Sequence, residues 1–242
     1  MTNALALISP QLQLKISKRA RRMALRLDSR NHIVNLVVPA RFSMKKAETF
    51  AYEHRLWIRE KLAALPAPIP FEESAIIPIL GRNRKLAITF HSSHKRTLIT
   101  LNDDNMSVTT NQEYPQSRII RFLKNEAQET LTNLVHEKAA LIEKPVKSVT
   151  LRDTKSRWGS CSPEGRISLS WRLIFAPWEA MDYVVAHEVA HLVHMNHSKD
   201  FWHLCAQLSD DYPSGKKWMR QQGHTLMKYG VVTMASTTDY PD

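Results

Sequence analysis

The stretch HEVAH, residues 187–191, is the feature that most restricts how this 242-residue chain can fold. His187 and His191 are four residues apart, so on a helix at about 100° per residue they share one face, one turn apart. Apolar residues around them recur at helical spacing, and Pro177 is suited to the first position of a helix. The sequence therefore predicts an amphipathic helix that presents two imidazoles side by side.

Glu188 follows the first histidine and completes the pattern HExxH. In this pattern two imidazoles hold one zinc ion, and the carboxylate takes a proton from the water that the metal binds. The pattern is uncommon by chance even in a chain with 11 histidines. Its position on a predicted helix favours a zinc site with Glu188 as the catalytic base.

A catalytic zinc site has three protein ligands and one open position, and His194 and His197 compete for the third place. His194 lies seven residues after His187, about 10 Å along a helix, which is too far for both to reach one ion with His191. His197 follows Asn196, a residue that tolerates the left-handed conformation at which helices end. A chain that turns there can bring His197 back, so we predict His187, His191 and His197 as the metal ligands.

Hydrolysis also needs a group that stabilises the oxyanion, and the sequence offers several. Tyr183, one helical turn before the first ligand, and Arg157 are candidates, and Arg172 and Tyr212 are others. Trp158 precedes the strand-like segment RISLSW, and either this segment or the strand before it could bind an extended peptide by edge addition. For Tyr183 and Trp158 the alternative is ordinary packing, and the sequence does not choose.

Two further residues have a functional and a structural reading. Cys161 could be a fourth metal ligand, although buried structural cysteines are common. Asp182 could orient a metal ligand. The simpler role for its negative charge is to stabilise the N-terminal end of the helix through the helix dipole.

The rest of the chain mixes strands and helices without regular alternation. Strand-like alternation occupies residues 11–38 and several segments between 76 and 110, and a helix is expected from Ser43 to about residue 65. A long helical pattern runs from 115 to about 144, and strands, the HExxH helix and two more helices follow. This order indicates an α+β fold with a β-rich N-terminal part that also contains helices.

Charge and cysteine content bear on partners and location. The chain carries 34 Lys and Arg against 23 Asp and Glu, a formal charge of +11, which permits contact with polyanions such as nucleic acid. The charges are spread along the chain, which is equally typical of a solvated surface. Two cysteines form neither a CxxC pair nor a disulfide framework, no apolar run could span a membrane, and no signal-peptide pattern opens the chain. We expect a cytoplasmic protein.

Four motifs carry a resemblance to a known family: RWGSCS (157–162), SLSWRLIFAP (168–177), DYVVAHEVAHLVHMNHSKDFW (182–202) and KKWM (216–219). They resemble the YgjP-like metallopeptidases, relatives of the SprT and WLM proteins among the zincins. The resemblance is dense over about residues 145–225 and thinner upstream. It implies a zincin-like catalytic domain over 113–242 beside a β-rich region over 1–112, unless the two form one compact unit. It also implies His187, His191 and His197 as zinc ligands and Glu188 as the base.

Two positions depart from the expected patterns. Ser170 stands where the family usually has Asn before WRL, a change that leaves the metal ligands untouched. The spacing HExxHxxxxxH also matches metzincins, but His194 occupies the position of their turn glycine, which argues against that group.

Three functions follow from these observations. The leading one is a zinc-dependent hydrolase, above all a metallopeptidase acting on a protein or peptide with zinc-activated water. The second is a nucleotide or phosphoanhydride hydrolase on the same zinc site, although only six glycines and no Gly-rich phosphate loop are present. The third is a basic, nucleic-acid-associated module with an SprT-like protease role, although no known DNA-binding motif occurs. A purely structural zinc is disfavoured, because a closed site does not need the base that HExxH retains.

Overall fold

The chain folds into a mixed α+β structure, which confirms the predicted fold class. It is seen in a computed structural model in which residues 4–28, 31–154 and 157–230 are described. Within these ranges there are seven α-helices and three small sheets. They form two compact units, residues 4–68 and Ile69–Gly230. The predicted boundary at residue 112 concerns where a catalytic domain begins, and it stays a prediction.

The first unit packs a three-stranded sheet with short helices. Its elements are α1 (Ala4–Ile8), β1 (Leu12–Ser17), β2 (Ala24–Asp28), β3 (Ile33–Pro39), α2 (Met44–Glu53) and α3 (Arg55–Ala63). The strand order is β1-β3-β2, with β1 parallel and β2 antiparallel to β3. Val34, Leu36 and Val38 alternate on β3 and are buried with Ala47 and Ile58 of the helices.

The single helix expected from Ser43 to about residue 65 is two helices in the structure. They are separated at His54, which lies outside helical geometry with φ −99° and ψ 13°. The Nδ1 of His54 donates to the carbonyl of Phe50 at 2.8 Å, within the last turn of α2. A side chain bonded in this way ends the helix locally, which apolar spacing alone does not indicate.

The second unit contains the remaining elements. In order they are β4 (Ile76–Ile79), β5 (Arg82–Phe90), β6 (Leu98–Leu101), β7 (Asn105–Thr110), α4 (Gln116–Leu141), β8 (Ser148–Arg152), β9 (Gly159–Cys161), β10 (Arg166–Ser170), α5 (Trp178–Ala190), α6 (Lys199–Leu208) and α7 (Tyr212–Gln222). Two 3-10 helices, Trp171–Phe175 and Gly223–Lys228, complete it. Ser170, the departure from the family pattern, caps the first of them by accepting from the Arg172 amide at 3.4 Å.

The two sheets of this unit lie in separate parts of the chain. The first has the order β4-β5-β7-β6, with β5 parallel to β7 and the other pairs antiparallel. The second has the order β8-β10-β9, with β8 parallel and β9 antiparallel to β10. Among the described residues β10, which is the segment RISLSW, is paired on both sides, so the expectation that it could take up a peptide strand is wrong. The same order leaves β9 at an edge of the sheet.

The longest helix, α4, forms one wall of the core. Its buried positions recur at helical spacing, and among them are Ile119, Leu123, Ala127 and Leu131. Its other face is polar. Within the described residues, no helix joins the length and the apolarity that crossing a membrane requires.

The HExxH helix, α5, lies deeper than the amphipathic pattern predicts. It packs against α4, α6, α7 and β9, and nine of its 13 residues are buried. Asp182 and Glu188 are among the buried residues, and each needs a polar partner or a neutral state there. The positions of these two carboxylates therefore define what the helix can do.

Candidate metal centre

Three histidines meet at the C-terminal end of α5. His187 lies in the last turn, His191 is the residue that ends the helix, and His197 comes from the segment before α6. One ring nitrogen of each lies within 4.8 Å of the others. The Nε2 atoms of His187 and His197 are 3.2 Å apart. The side chain of His194 does not belong to this group.

The arrangement fits a metal ion. Zinc bonds to nitrogen at about 2.0–2.1 Å, so a tetrahedral site holds its nitrogens about 3.3 Å apart, close to the separation of the two Nε2 atoms. The Nδ1 of His191 donates to the carbonyl of His194 at 2.9 Å, which fixes the tautomer and leaves Nε2 free to bind. Within the described residues, Nδ1 of His187 is buried without a hydrogen-bond partner. Three imidazoles converging in this way are a donor set that suits zinc.

Burial and neighbouring charges keep His187 neutral. Burial first, and then the neighbouring His191, His197 and Lys216, lower the pKa of His187 to about 4. Burial also lowers the pKa of His191. Only the neutral imidazole can bind a metal, so at neutral pH the buried ligand is already in the binding form.

Glu188 follows His187 on α5 and is almost fully buried, with 5% of its surface exposed. Burial raises the pKa of Glu188 to about 8, and the charge of Arg157 acts in the opposite direction. A carboxyl group whose pKa lies near neutrality can both accept and release a proton at that pH. This is the property that a general base and acid requires.

Gly159 of β9 makes room for that carboxylate. It pairs with Leu169 of β10, and a Cβ atom at Gly159 would lie 2.5 Å from both Cγ and Oε1 of Glu188. Real Cβ atoms do not approach so closely, so only glycine at this position leaves room for the Glu188 side chain where it lies. The sequence patterns did not predict β9, although the motif RWGSCS (157–162) contains it.

Two aromatic residues of α6 form the wall behind the histidines. Trp202 stacks on His197 with ring centroids 5.3 Å apart, and Phe201 lies within 4.9 Å of all three imidazoles. Ser198 caps α6 by accepting from the Phe201 amide at 3.3 Å. The cap sets the start of α6, and this orients both aromatic rings against the ligands.

Sequence reasoning missed Lys216 of α7, which lies beside this wall. Its ammonium group lies 4.0 Å from the Trp202 ring centroid and donates to the Tyr212 hydroxyl at 2.6 Å. Gly215 allows α7 to approach, because a Cβ atom there would clash with the carbonyl oxygen of Glu179 and lie 2.5 Å from Cβ of Tyr183. Lys216 is the first residue of the motif KKWM, but that motif alone did not indicate a role for the lysine at the site.

The other predicted contact residues lie around the site in different settings. Tyr183 packs its ring against Tyr212 and His187, at 5.6 and 6.1 Å between centroids, and burial raises its pKa, so its hydroxyl stays protonated. Arg157 is exposed and acts electrostatically on Glu188. Trp158 packs near Gly223, which would bring a Cβ atom 3.2 Å from its indole nitrogen.

Arg172 and Cys161, two further residues with possible roles at the site, lie outside the histidine group. The buried guanidinium of Arg172 donates to Asp153 at 2.8 Å and to the Tyr229 carbonyl at 2.9 Å. Cys161 is outside the ligand group, and burial, together with the charge of Glu188, raises its pKa to about 11.

Asp182 neither orients a metal ligand nor serves the helix N-terminus. It forms a buried ion pair with Lys138 of α4 and accepts hydrogen bonds from the Ser209 hydroxyl at 2.9 Å and the Asp210 amide at 2.8 Å. Lys138 in turn donates to the carbonyl of Leu208 at 2.6 Å. This network joins α4, α5 and the end of α6, and it fixes the helix that carries the site.

Comparison with known proteins adds a family match. A family model described as "YgjP-like, metallopeptidase domain" matches residues 21–222. No curated protein matches the chain. Among solved structures, the crystal structure of the metallopeptidase zymogen of Pyrococcus abyssi abylysin is 21% identical, and the match covers 38% of this chain and 95% of that one. Its TM-score is 0.34, so nothing below rests on it.

Proposed function

Because the chain belongs to the YgjP-like metallopeptidase family, we propose that it is a zinc-dependent peptidase with His187, His191 and His197 as ligands and Glu188 as general base. The observation that carries the proposal is the convergence of three imidazole nitrogens within 4.8 Å, with Glu188 next to His187 in the sequence and buried on the same helix. A protein or peptide is the substrate class that fits this family. Both cysteines are free, which suits a reducing compartment, and we include a cytoplasmic location in the proposal.

The residues divide the chemistry among them. A bound zinc ion supplies Lewis acidity, which polarises the scissile carbonyl and lowers the pKa of water. Glu188 takes a proton from the attacking water and returns it to the leaving amine. Its burial against β9 keeps bulk water away and raises its pKa, so that it binds the proton between the two steps.

Polar groups around the histidines complete the proposed site. Lys216, which donates to Tyr212 and acts electrostatically on His187, and Arg157, which acts on Glu188, supply positive charge that can stabilise an oxyanion or a substrate carboxylate. Tyr183 keeps its proton and can donate from the same helix face as His187. The edge strand β9 can accept an extended peptide beside Glu188 by backbone pairing.

The test compares four forms of the protein: wild type, Glu188→Gln, His197→Ala and, as a matched control, Glu137→Gln on the exposed face of α4. Zinc content is measured by elemental analysis, and cleavage is measured on a quenched fluorescent peptide library. We expect about one zinc per chain in wild type, Glu188→Gln and the control, and much less in His197→Ala. Loss of the base lowers cleavage by about 10²- to 10⁴-fold in Glu188→Gln, while the control retains it.

The same experiment separates the alternatives. Cleavage that survives in Glu188→Gln would contradict the assigned base, and unchanged zinc content in His197→Ala would contradict the ligand set. Zinc-dependent release of phosphate from nucleoside triphosphates, with no peptide cleaved, would replace the peptidase by the phosphoanhydride hydrolase that the sequence also allows.

A further inference from the structure

A basic cleft lies outside the metal centre, between α4 and the region around β6. It has a volume of about 670 Å³. Two cations of the segment before β6, Lys95 and Arg96, and two of α4, Arg118 and Arg121, line it. The described residues that line the cleft include no Asp or Glu. The cleft therefore concentrates four positive charges that no lining carboxylate offsets.

The α4 wall combines charge with a surface for stacking. Arg118, Arg121, Phe122 and Asn125 follow the spacing i, i+3, i+4 and i+7, which places them on one face of the helix. Both arginines are exposed, and Phe122 is half-buried with part of its surface open. This face offers guanidinium groups for phosphate and an aromatic surface for a base.

The end of the cleft carries side-chain amides. Asn111 and Gln112 follow β7 and line the cleft with Asn125. Amides donate and accept hydrogen bonds, as the edges of unpaired bases do. An acidic peptide would use the four cations but would have less use for three amides and an aromatic surface.

We propose that this cleft binds single-stranded nucleic acid, with the four cations on the phosphates and Phe122 and the amides on the bases. The volume lies within the range of roughly 300–1,000 Å³ that is typical of ligand pockets, and a cleft of this size suits the unpaired bases of a single strand better than a duplex. The overall charge of +11 favours the encounter. This binding is independent of the peptidase proposal, because it uses none of the residues of the metal centre.

The test measures fluorescence anisotropy of a labelled 12-nucleotide oligo(dT) with the whole chain. Four phosphate contacts predict a salt slope of about −2.8, so that affinity falls about 50-fold between 50 and 200 mM salt. Arg118→Gln/Arg121→Gln leaves two phosphate contacts. Its affinity should be weaker than that of wild type at low salt and should fall only about sevenfold between 50 and 200 mM salt. Phe122→Leu preserves an apolar side chain and lowers affinity at least about fivefold by removing the stacking surface.

The matched control is Lys144→Gln/Lys147→Gln, which removes the same charge from two exposed positions outside the cleft. It should bind like wild type, and all variants should unfold at the wild-type urea midpoint. Absence of binding at 50 mM salt, or equal loss in the control and cleft variants, would overturn the proposal. So would tighter binding of a hairpin duplex than of oligo(dT), or equally good displacement of the probe by poly-glutamate.

Discussion

The contact between Gly159 and Glu188 allows a sharp test of how the active helix is positioned. In Gly159→Ala the new Cβ atom would lie 2.5 Å from Oε1 and Cγ of Glu188 and 2.7 Å from its Cδ. Ordinary contact between such atoms begins near 3.4 Å. The carboxylate, the strand or the helix must therefore move by about 1 Å, a displacement that can reduce an enzyme's rate about 100-fold.

The stability effect follows from the same overlap. Adding a methyl group to a packed interior costs about 1–3 kcal/mol in free energy of unfolding. The histidines are not touched, so Gly159→Ala should keep its zinc while its kcat/KM on a cleaved peptide falls about 100-fold. Elemental analysis, peptide kinetics and urea unfolding measure the three quantities separately.

Ser160→Ala is the control, because successive side chains of a strand point to opposite faces. It should retain wild-type activity and lie within about 0.5 kcal/mol of wild type in stability. If Gly159→Ala matched this control in both activity and stability, β9 would not lie against Glu188, or the carboxylate would not take part in the reaction. Loss of zinc in Gly159→Ala would show that the strand supports the ligands as well.

Two further predictions concern the helix and its ligands. Asp182→Asn leaves the buried Lys138 with only the exposed Asp210 carboxylate, 3.9 Å away, and should lower the free energy of unfolding by about 3–5 kcal/mol. Asp182→Asn/Lys138→Met should lose less than the single variant, and a double variant as unstable as the sum of two single ones would refute the pairing; urea unfolding measures both. In the metal-free folded protein the pKa of His187 is lowered from 6.5 to about 4. Between these two pH values the unfolded chain therefore binds a proton at His187 and the folded chain does not. Stability should therefore fall as the pH drops from 6.5 towards 4, and His187→Gln should flatten this slope in urea midpoints measured against pH; an unchanged slope would contradict it.

Long periodic helices were predictable because their signal is summed over many residues. Residues 115–144 were expected to be helical, and α4 runs from Gln116 to Leu141. The apolar spacing around His187 predicted α5, but not that it would be buried on nearly all sides. Burial depends on what packs against a helix, and that information lies far away in the chain.

The meeting of the three histidines was anticipated by geometry alone. The helical rise per residue excluded His194, and a turn at Asn196 was expected to bring His197 close to His187 and His191. The structure brings these three histidines together. Their role as metal ligands stays a proposal. Helix and turn geometry sufficed here because His187, His191 and His197 lie within 11 consecutive residues.

Contacts across long separations could not be predicted. β9 is three residues long, and its Gly-Ser-Cys sequence carries no strand pattern, so only pairing with β10 defines it. Lys138 has the helical spacing of a core position, but a charged residue is ordinarily read as solvent-facing. The position of Lys216 at the site depends on its contacts with Trp202 of α6 and Tyr212 of α7, which only the packing of these helices creates.

The buried pair of Lys138 and Asp182 also limits how such a chain can evolve. Well-packed apolar residues at both positions can equal a buried ion pair in stability, yet each route passes through a single variant that leaves one charge alone in the core. A loss of about 3–5 kcal/mol is a large part of the 5–15 kcal/mol that folded domains commonly have, so such intermediates would be removed by selection. Descendants of this chain should therefore keep both charges or replace both, and seldom show one without the other.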